Sequence, residues 1–167
     1  MITGRTAKPD GIEMEAWTMF RKELVTEIDI DAPVEEVWKT LTDFDAYPRW
    51  NPMIIRASGE LRIGERLKVR FEPEGSRGHT FRPRLMVVDP GRELRWLGWP
   101  RLPAFFDTEH YWTMAAKPDG RTHLSHGTVV RGLLAPMAGK ALERTSRGPF
   151  EKMNRAHKER AEVSRPQ

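Results

Sequence analysis

The sequence contains no cysteine and no long apolar segment. Without a thiol the protein has no disulfide, no thiolate nucleophile and no cysteine-based zinc or iron–sulfur site. No stretch approaches the roughly 18 to 20 consecutive apolar residues that a membrane-spanning helix needs. The first residues also lack the apolar core of a secretory signal. We therefore predict a cytoplasmic protein with no integral membrane association.

Known catalytic and cofactor-binding motifs are also missing. There is no Gly-x-Ser-x-Gly nucleophile elbow, no P-loop and no Gly-x-Gly-x-x-Gly dinucleotide fingerprint. None of the five histidines has a spacing that demands a metal; these are His79, His110, His123, His126 and His157. His123 and His126 would point to opposite faces of a strand, which is wrong for joint ligation. We expect neither a metal nor a cofactor.

The surplus of positive charge is small and dispersed. Lysine and arginine number 28 against 24 acidic residues, which gives a formal net charge of +4 and a pI near 9.6. Such a pI raises the question of nucleic acid, but no run of five or six basic residues and no DNA- or RNA-reading motif occurs. We interpret the charge as a solvated basic surface and predict no nucleic-acid partner.

The length of 167 residues, with 38% hydrophobic and 31% charged residues, suits one soluble domain with a sizeable core. Residues 1–21 have mixed polarity and are expected to form an N-terminal extension, either packed on the domain or poorly ordered. Residues 22–162 carry the regular patterns and form the predicted ligand-binding domain. Residues 163–167 are a short tail.

Hydrophobic periodicity predicts an α+β fold. Alternation from Leu24 to Ile30 indicates a half-buried strand, and Val34, Val37, Trp38 and Leu41 give the stripe of a short helix. Later strands are predicted at Met53–Ser58, Arg66–Glu72, His79–Val88, Glu93–Gly98, Phe105–Ala115 and Thr122–Arg131. From about Leu133 the period becomes helical, and Gly148-Pro149 should kink this long helix or divide it in two.

The segment from Leu41 to Pro52 is the most informative part of the chain. Pro48 and Pro52 bracket Arg-Trp-Asn, so no helix or strand should run through it. The order strand, Ala-Pro-x-x-x-x-Trp helix, then F-x-x-Y-P-x-W-N-P resembles the START-like (SRPBCC) superfamily, also called polyketide cyclase/dehydrase-like. The resemblance covers roughly residues 22 to 160, and its specific motif is confined to residues 32 to 52.

This resemblance implies a helix-grip fold. In that fold a curved antiparallel sheet of about seven strands wraps around a long C-terminal helix, with two short helices between strands 1 and 2. The superfamily binds apolar ligands between the sheet and the last helix. The Glu109-His110-x-Trp112-x-Met114 pattern looks like its late strands, where a polar residue among apolar ones often faces the cavity. No diagnostic cyclase residue set can be carried over to this sequence.

Alternation predicts which side chains face inward from the late hairpin. His110 and Trp112 should share one face of their strand, and His126 lies on the matching face of the next. Two histidines in an apolar space would be candidates for proton transfer or for orienting a ligand. The alternatives are hydrogen-bonded core histidines, or a register shifted by one residue that turns both toward water. Glu109 should point to the opposite face, which leaves the partner of His110 unidentified.

Aromatic side chains and the C-terminal helix supply the predicted walls of the cavity. Six tryptophans are generous for this length, and flat rings suit a slot for an aromatic ligand. The apolar loop around Trp99 could gate the cavity mouth or form a dimer contact. The predicted ligand-binding residues are Trp50, Phe71, Phe81, Trp96, Trp99, Phe106, His110, Trp112, His126, Met137, Leu142 and Met153.

Three functions are compatible with these patterns. The first is binding of a small hydrophobic molecule, a lipid or an aromatic or polyketide-like metabolite. The second is a cyclase, dehydratase or hydrolase in which His110 or His126 acts as the general base. The third is a protein-interaction module of the chaperone-activator type, with a filled core and an exposed apolar patch around Trp99 to Phe106. A homodimer is compatible with each of them.

Overall fold

The computed structural model describes residues 20–98 and 107–163. These residues form eight strands and three α-helices. The strands are β1 Arg21–Ile30, β2 Ile54–Ser58, β3 Lys68–Phe71, β4 His79–Phe81, β5 Arg84–Asp89, β6 Glu93–Leu97, β7 Asp107–Ala116 and β8 Thr122–Arg131. The helices are α1 Val34–Thr42, α2 Tyr47–Trp50 and α3 Ala135–Val163, with a 3₁₀ turn at Phe44–Ala46.

All strands pair in the antiparallel sense, in two sheets that meet along β3 and β5. One sheet has the order β1-β8-β7-β6-β5 and the other β2-β3-β4. Where they meet, the Leu67 amide donates to the Pro83 carbonyl at 3.0 Å and the Leu85 amide donates to the Glu65 carbonyl at 2.8 Å. These bonds join the sheets into one surface that packs against α3. The α+β helix-grip fold expected from the sequence is therefore confirmed.

The expected single strand from His79 to Val88 is divided into β4 and β5. Pro83 lies at the break, is buried, and has no N–H for a ladder bond. β4 consequently ends at Phe81 and β5 begins at Arg84. This break accounts for eight strands in the described residues where about seven were predicted.

The proline-rich corner is held by side-chain hydrogen bonds. No helix or strand was expected to run through the segment from Pro48 to Pro52. A one-turn helix, α2, does enter it and contains Pro48, but it ends at Trp50, before Asn51. The next residue, Asn51, accepts hydrogen bonds at its Oδ1 from the backbone amides of Met53 and Ile54, at 3.0 and 2.9 Å. The F-x-x-Y-P-x-W-N-P segment thus fixes the start of β2.

The C-terminal helix is a single element that includes Pro149, so the two-helix alternative is wrong. Phe150 and Met153 are buried against the sheet. Met137, which was expected to close the cavity, is instead 80% exposed. It lies two residues, or about 200°, from the buried Ala135 and therefore on the opposite face of the helix. Within the described residues, no helix is long and apolar enough to span a membrane.

Candidate functional site

The two histidines predicted to face inward do meet in the core. On β7 and β8, Trp112 pairs with His126 and His110 with Thr128, which brings the imidazoles to one side of the sheet. His110 Nε2 and His126 Nε2 are 2.8 Å apart. His126 is fully buried, while His110 is partly exposed. The partner of His110 is therefore another histidine and not a carboxylate.

A continuous chain of hydrogen bonds extends from this pair to the edge strand. His126 Nδ1 lies 2.8 Å from Asn154 Oδ1 on α3. Asn154 Nδ2 donates to Thr26 Oγ1 on β1 at 2.9 Å, and Thr26 Oγ1 donates to the His126 carbonyl at 3.1 Å. Both Thr26 and Asn154 are buried. Four side chains, one each from β1, β7, β8 and α3, thus form a polar network, which we call the histidine network.

Burial keeps both imidazoles neutral. It lowers the pKa of His110 to about 3. Burial also lowers the pKa of His126 well below its usual value, with a further contribution from His110 and despite the hydrogen bond to Asn154. At neutral pH each ring therefore has one N–H and one lone pair.

Aromatic rings pack against the two imidazoles of the histidine network. His126 stacks on Phe150 at a centroid distance of 4.2 Å and an interplanar angle of 6°. The Trp112 ring stacks on His126 with the centroids 5.0 Å apart, and it contacts His110 at a tilt with the centroids 4.5 Å apart. Trp96 approaches His110 at 5.6 Å. This packing fixes the planes of both imidazoles and excludes water from His126.

An open pocket of about 190 Å³ lies on the exposed side of His110. It is lined by Phe71, His79, Phe81, Gly98, Thr108 and His110. Residues of both sheets line it, because β3 and β4 belong to one sheet and β7 to the other. Phe71, Phe81 and His110 were predicted as ligand-binding residues and do line this pocket, which we call the inner pocket.

The other predicted residues lie elsewhere. Trp96, Trp112 and Met153 are in the fully buried core, Leu142 packs at its margin, and Trp50 stacks on His157 at 5.4 Å. Trp99 and Phe106 lie outside the described residues. The predicted gate and the predicted exposed apolar patch consist of residues 99–106, so they too lie outside the described residues.

A larger cavity is present, but its chemistry is different. A groove of about 660 Å³ runs between the edge strand β1 and helix α3. Its lining is mostly polar and comprises Val25, Thr26, Glu27, Ile28, Arg147, Glu151, Asn154 and Arg155. We call it the outer groove. It offers no aromatic wall, so volume alone does not make it the better site for an apolar ligand.

Glu109, the acidic neighbour of His110 on β7, has structural partners. Glu109 faces away from His110, as expected, and pairs with Arg95 and Arg131. Burial alone would raise the pKa of Glu109, but the hydrogen bonds from Arg131 and Arg95 outweigh it and lower the pKa. Among residues 20–98 and 107–163, no group of three or more acidic or histidine side chains could hold a metal ion.

Sequence reasoning missed three residues of this site. His79 precedes Phe81 by two residues, so strand alternation already placed both on one face. Asn154 falls on the apolar stripe of the last helix, where an amide needs a hydrogen-bond partner. Thr26 shares one face of the first strand with Leu24 and Ile28. A polar residue on a buried stripe was the available signal for Thr26 and Asn154.

Several solved structures share this fold. The di-domain ARO/CYC StfQ from the steffimycin biosynthetic pathway is 16% identical with a TM-score of 0.70; the match covers 90% of this chain and 54% of StfQ, so this chain spans about half of StfQ. The Zhui aromatase/cyclase from Streptomyces is 18% identical with a TM-score of 0.67, over 85% of this chain and 94% of that one. A START superfamily protein from Mycobacterium smegmatis is 20% identical with a TM-score of 0.64, over 84% of this chain and 97% of that one.

Identities this low establish a common fold and not a common activity. No curated protein is similar enough in sequence to count as a match. The family model described as polyketide cyclase/dehydrase and lipid transport matches residues 21–162. Because this match includes both sheets, all the helices and the histidine network, the chain belongs to the polyketide cyclase/dehydrase and lipid transport family.

Proposed function

We propose that this protein binds a small aromatic molecule in the inner pocket. The observation that supports the proposal is that two phenylalanine rings line the pocket together with His110, whose Nδ1 has no hydrogen-bond partner among the described residues. Phe71 and Phe81 supply apolar walls, and His110 supplies the polar group that orients a ligand. Such a pairing of aromatic walls with few polar groups is typical of small-molecule sites.

The size of the pocket favours a ligand with one ring. An engineered apolar protein cavity of about 150 Å³ is known to bind benzene, and the inner pocket measures about 190 Å³. Burying about 150 Å² of apolar ligand surface at about 25 cal/mol per Å² would contribute roughly 4 kcal/mol. The entropy lost on association offsets much of this gross contribution, so a hydrogen bond to His110 would be needed for specific binding. A long acyl chain fits the pocket less well.

Isothermal titration with one-ring aromatics tests the proposal. Thr108 lines the inner pocket, while Thr113 lies on the same strand with its side chain on the opposite face. Thr108→Phe should fill the pocket and abolish binding, whereas Thr113→Phe should leave binding within about twofold of the unmodified protein. Equal binding by the two variants would exclude the inner pocket as the site.

A second candidate function is catalysis with the histidine pair as general base. The 2.8 Å contact between His110 and His126 favours it, because a proton taken up at His110 Nδ1 can be matched by transfer of the Nε2 proton to His126. His126 would then be an imidazolium held by Asn154. The pKa of His110 near 3 makes it a weak base, so binding is the first proposal. Turnover that falls in His126→Phe by a much larger factor than ligand affinity does would support catalysis.

A further inference from the structure

We propose that the inner pocket selects ligands that present a hydroxyl or N–H donor to His110, because the histidine network fixes His110 Nδ1 as a hydrogen-bond acceptor. This inference rests on the proposed binding function and specifies the chemistry of its ligand. A phenol is the simplest compound of the required kind. A carbonyl or carboxylate at the same position would meet a lone pair instead of a proton.

Thr26 is the end of the histidine network farthest from the pocket. The Thr26 hydroxyl has one proton, and the His126 carbonyl at 3.1 Å can only accept it. Thr26 Oγ1 therefore accepts a hydrogen bond from Asn154, and the Asn154 atom 2.9 Å away must be the nitrogen of its NH₂ group. This bond fixes the amide orientation, so Asn154 Oδ1 must face His126.

The orientation of the Asn154 amide in turn fixes the tautomers of both imidazoles. Asn154 Oδ1 accepts only, so His126 Nδ1, 2.8 Å away, has the proton. A neutral imidazole has one N–H, so His126 Nε2 has no proton and can accept a hydrogen bond through its lone pair. His110 Nε2 lies 2.8 Å from that lone pair and must donate to it. The proton of His110 is thus on Nε2, and Nδ1 has the lone pair.

The His110 acceptor is open to the pocket. Within the described residues Nδ1 has no hydrogen-bond partner, and it is not among the buried side-chain atoms that lack one. The ring is partly exposed and lines the inner pocket. The low pKa of both histidines supports the assignment, since protonation of either ring would add a second N–H and remove the fixed direction.

A matched ligand series tests the preference by isothermal titration. 4-Methylphenol offers a donor, 4-fluorotoluene is nearly the same shape without one, and 4-methylbenzaldehyde offers only an acceptor. The phenol should bind at least roughly tenfold more tightly than either, because an unpaired acceptor is costly in a partly dry site. Equal affinities, or tighter binding of the aldehyde, would overturn the inference while leaving the binding function intact.

Substitution of Thr26 tests the origin of the preference. Thr26→Val keeps the shape but removes the hydroxyl that orients Asn154, so the amide and both tautomers can reverse. The preference for the phenol should then fall to within about threefold of the other ligands, and Thr26→Ser should restore it. A Thr26→Val protein that keeps the full preference would show that the network does not set it.

Long-range ¹H–¹⁵N spectra of the imidazoles give a readout that needs no ligand. His110 should be protonated at Nε2 and His126 at Nδ1. If none of the three ligands binds, the proposed function fails, but these spectra still decide the tautomers. The opposite pair of tautomers, or an imidazolium at neutral pH, would overturn the inference by itself.

Discussion

Asn154 of the last helix donates a 2.9 Å hydrogen bond to Thr26 of the first strand across 128 residues of sequence. Both side chains are buried. The bond therefore connects α3 to the edge of the sheet at the point where the histidine network begins. Packing of the helix on the sheet and the orientation of His110 depend on the same two side chains.

Removal of Asn154 should destabilise the protein. Asn154→Ala leaves His126 Nδ1–H without its buried acceptor and opens a small cavity, at a cost of about 2 to 3 kcal/mol in the free energy of unfolding. Urea unfolding at neutral pH measures it. Glu159→Ala, at an exposed position of the same helix, is the control and should stay within about 0.5 kcal/mol. Similar losses for the two variants would mean that the network contributes nothing.

Acid should destabilise the fold before its carboxylates titrate. Burial lowers the pKa of His110 to about 3 and that of His157 to about 4, and the pKa of His126 is also lowered by burial. Unfolded histidines titrate near 6.5, so below that pH the unfolded chain binds more protons and stability falls. The slope should approach about 4 kcal/mol per pH unit between pH 6 and 5.

One variant isolates a third of this pH dependence. His157 Nε2 donates to the Val37 carbonyl at 3.0 Å, and His157→Gln can keep this bond without a titrating group. The slope of stability against pH should then fall by about one third. An unchanged slope in urea unfolding between pH 7 and 5 would contradict neutral burial of His157.

A glycine on β8 makes room for a tyrosine on the outer face of the sheet. A Cβ at Gly127 would lie 2.5 Å from the ring and hydroxyl of Tyr111 and 2.9 Å from the Leu24 carbonyl. Gly127→Ala should cost about 1 to 3 kcal/mol by thermal or urea unfolding. Combined with Tyr111→Leu, it should cost less than the sum of the single changes. If the free-energy costs of the two changes were strictly additive, the Tyr111 ring would not contact a side chain at position 127.

The corner before β2 depends on one amide. Asn51 Oδ1 accepts from the amides of Met53 and Ile54, and Asn51 itself is buried. Asn51→Ala leaves two buried backbone donors unpaired and should cost about 2 to 4 kcal/mol. Asn51→Asp keeps an oxygen acceptor and should be less damaging at neutral pH. Urea unfolding separates the two, and equal losses would contradict the assigned role.

Local patterns predicted most of the fold because each element has its own sequence signal. Alternation between Leu24 and Ile30 marked β1, and the segment from Leu41 to Pro52 carried the family motif. The division at Pro83 was missed because the apolar alternation continues across it. The apolar side-chain pattern does not reveal that Pro83 lacks the backbone N–H needed for a strand hydrogen bond.

The candidate site was only partly predictable because it joins distant segments. Alternation placed His110 and His126 on one face. The same rule applies to His79 and Phe81, but His79 was not predicted as a site residue. Nothing in the local sequence linked Thr26 to Asn154, since their contact exists only when the first strand packs on the last helix. The position of Met137 was wrong because the helical stripe was assigned before the phase of the helix was known.

NMR mapping of 4-methylphenol on protein labelled at phenylalanine and at isoleucine, valine and threonine methyl groups tests the central claim most directly. The account predicts saturable shift changes centred on Phe71, Phe81 and the Thr108 methyl, which surround the inner pocket. Changes centred instead on Val25, Thr26 and Ile28 of the outer groove, or no saturable change, would contradict it.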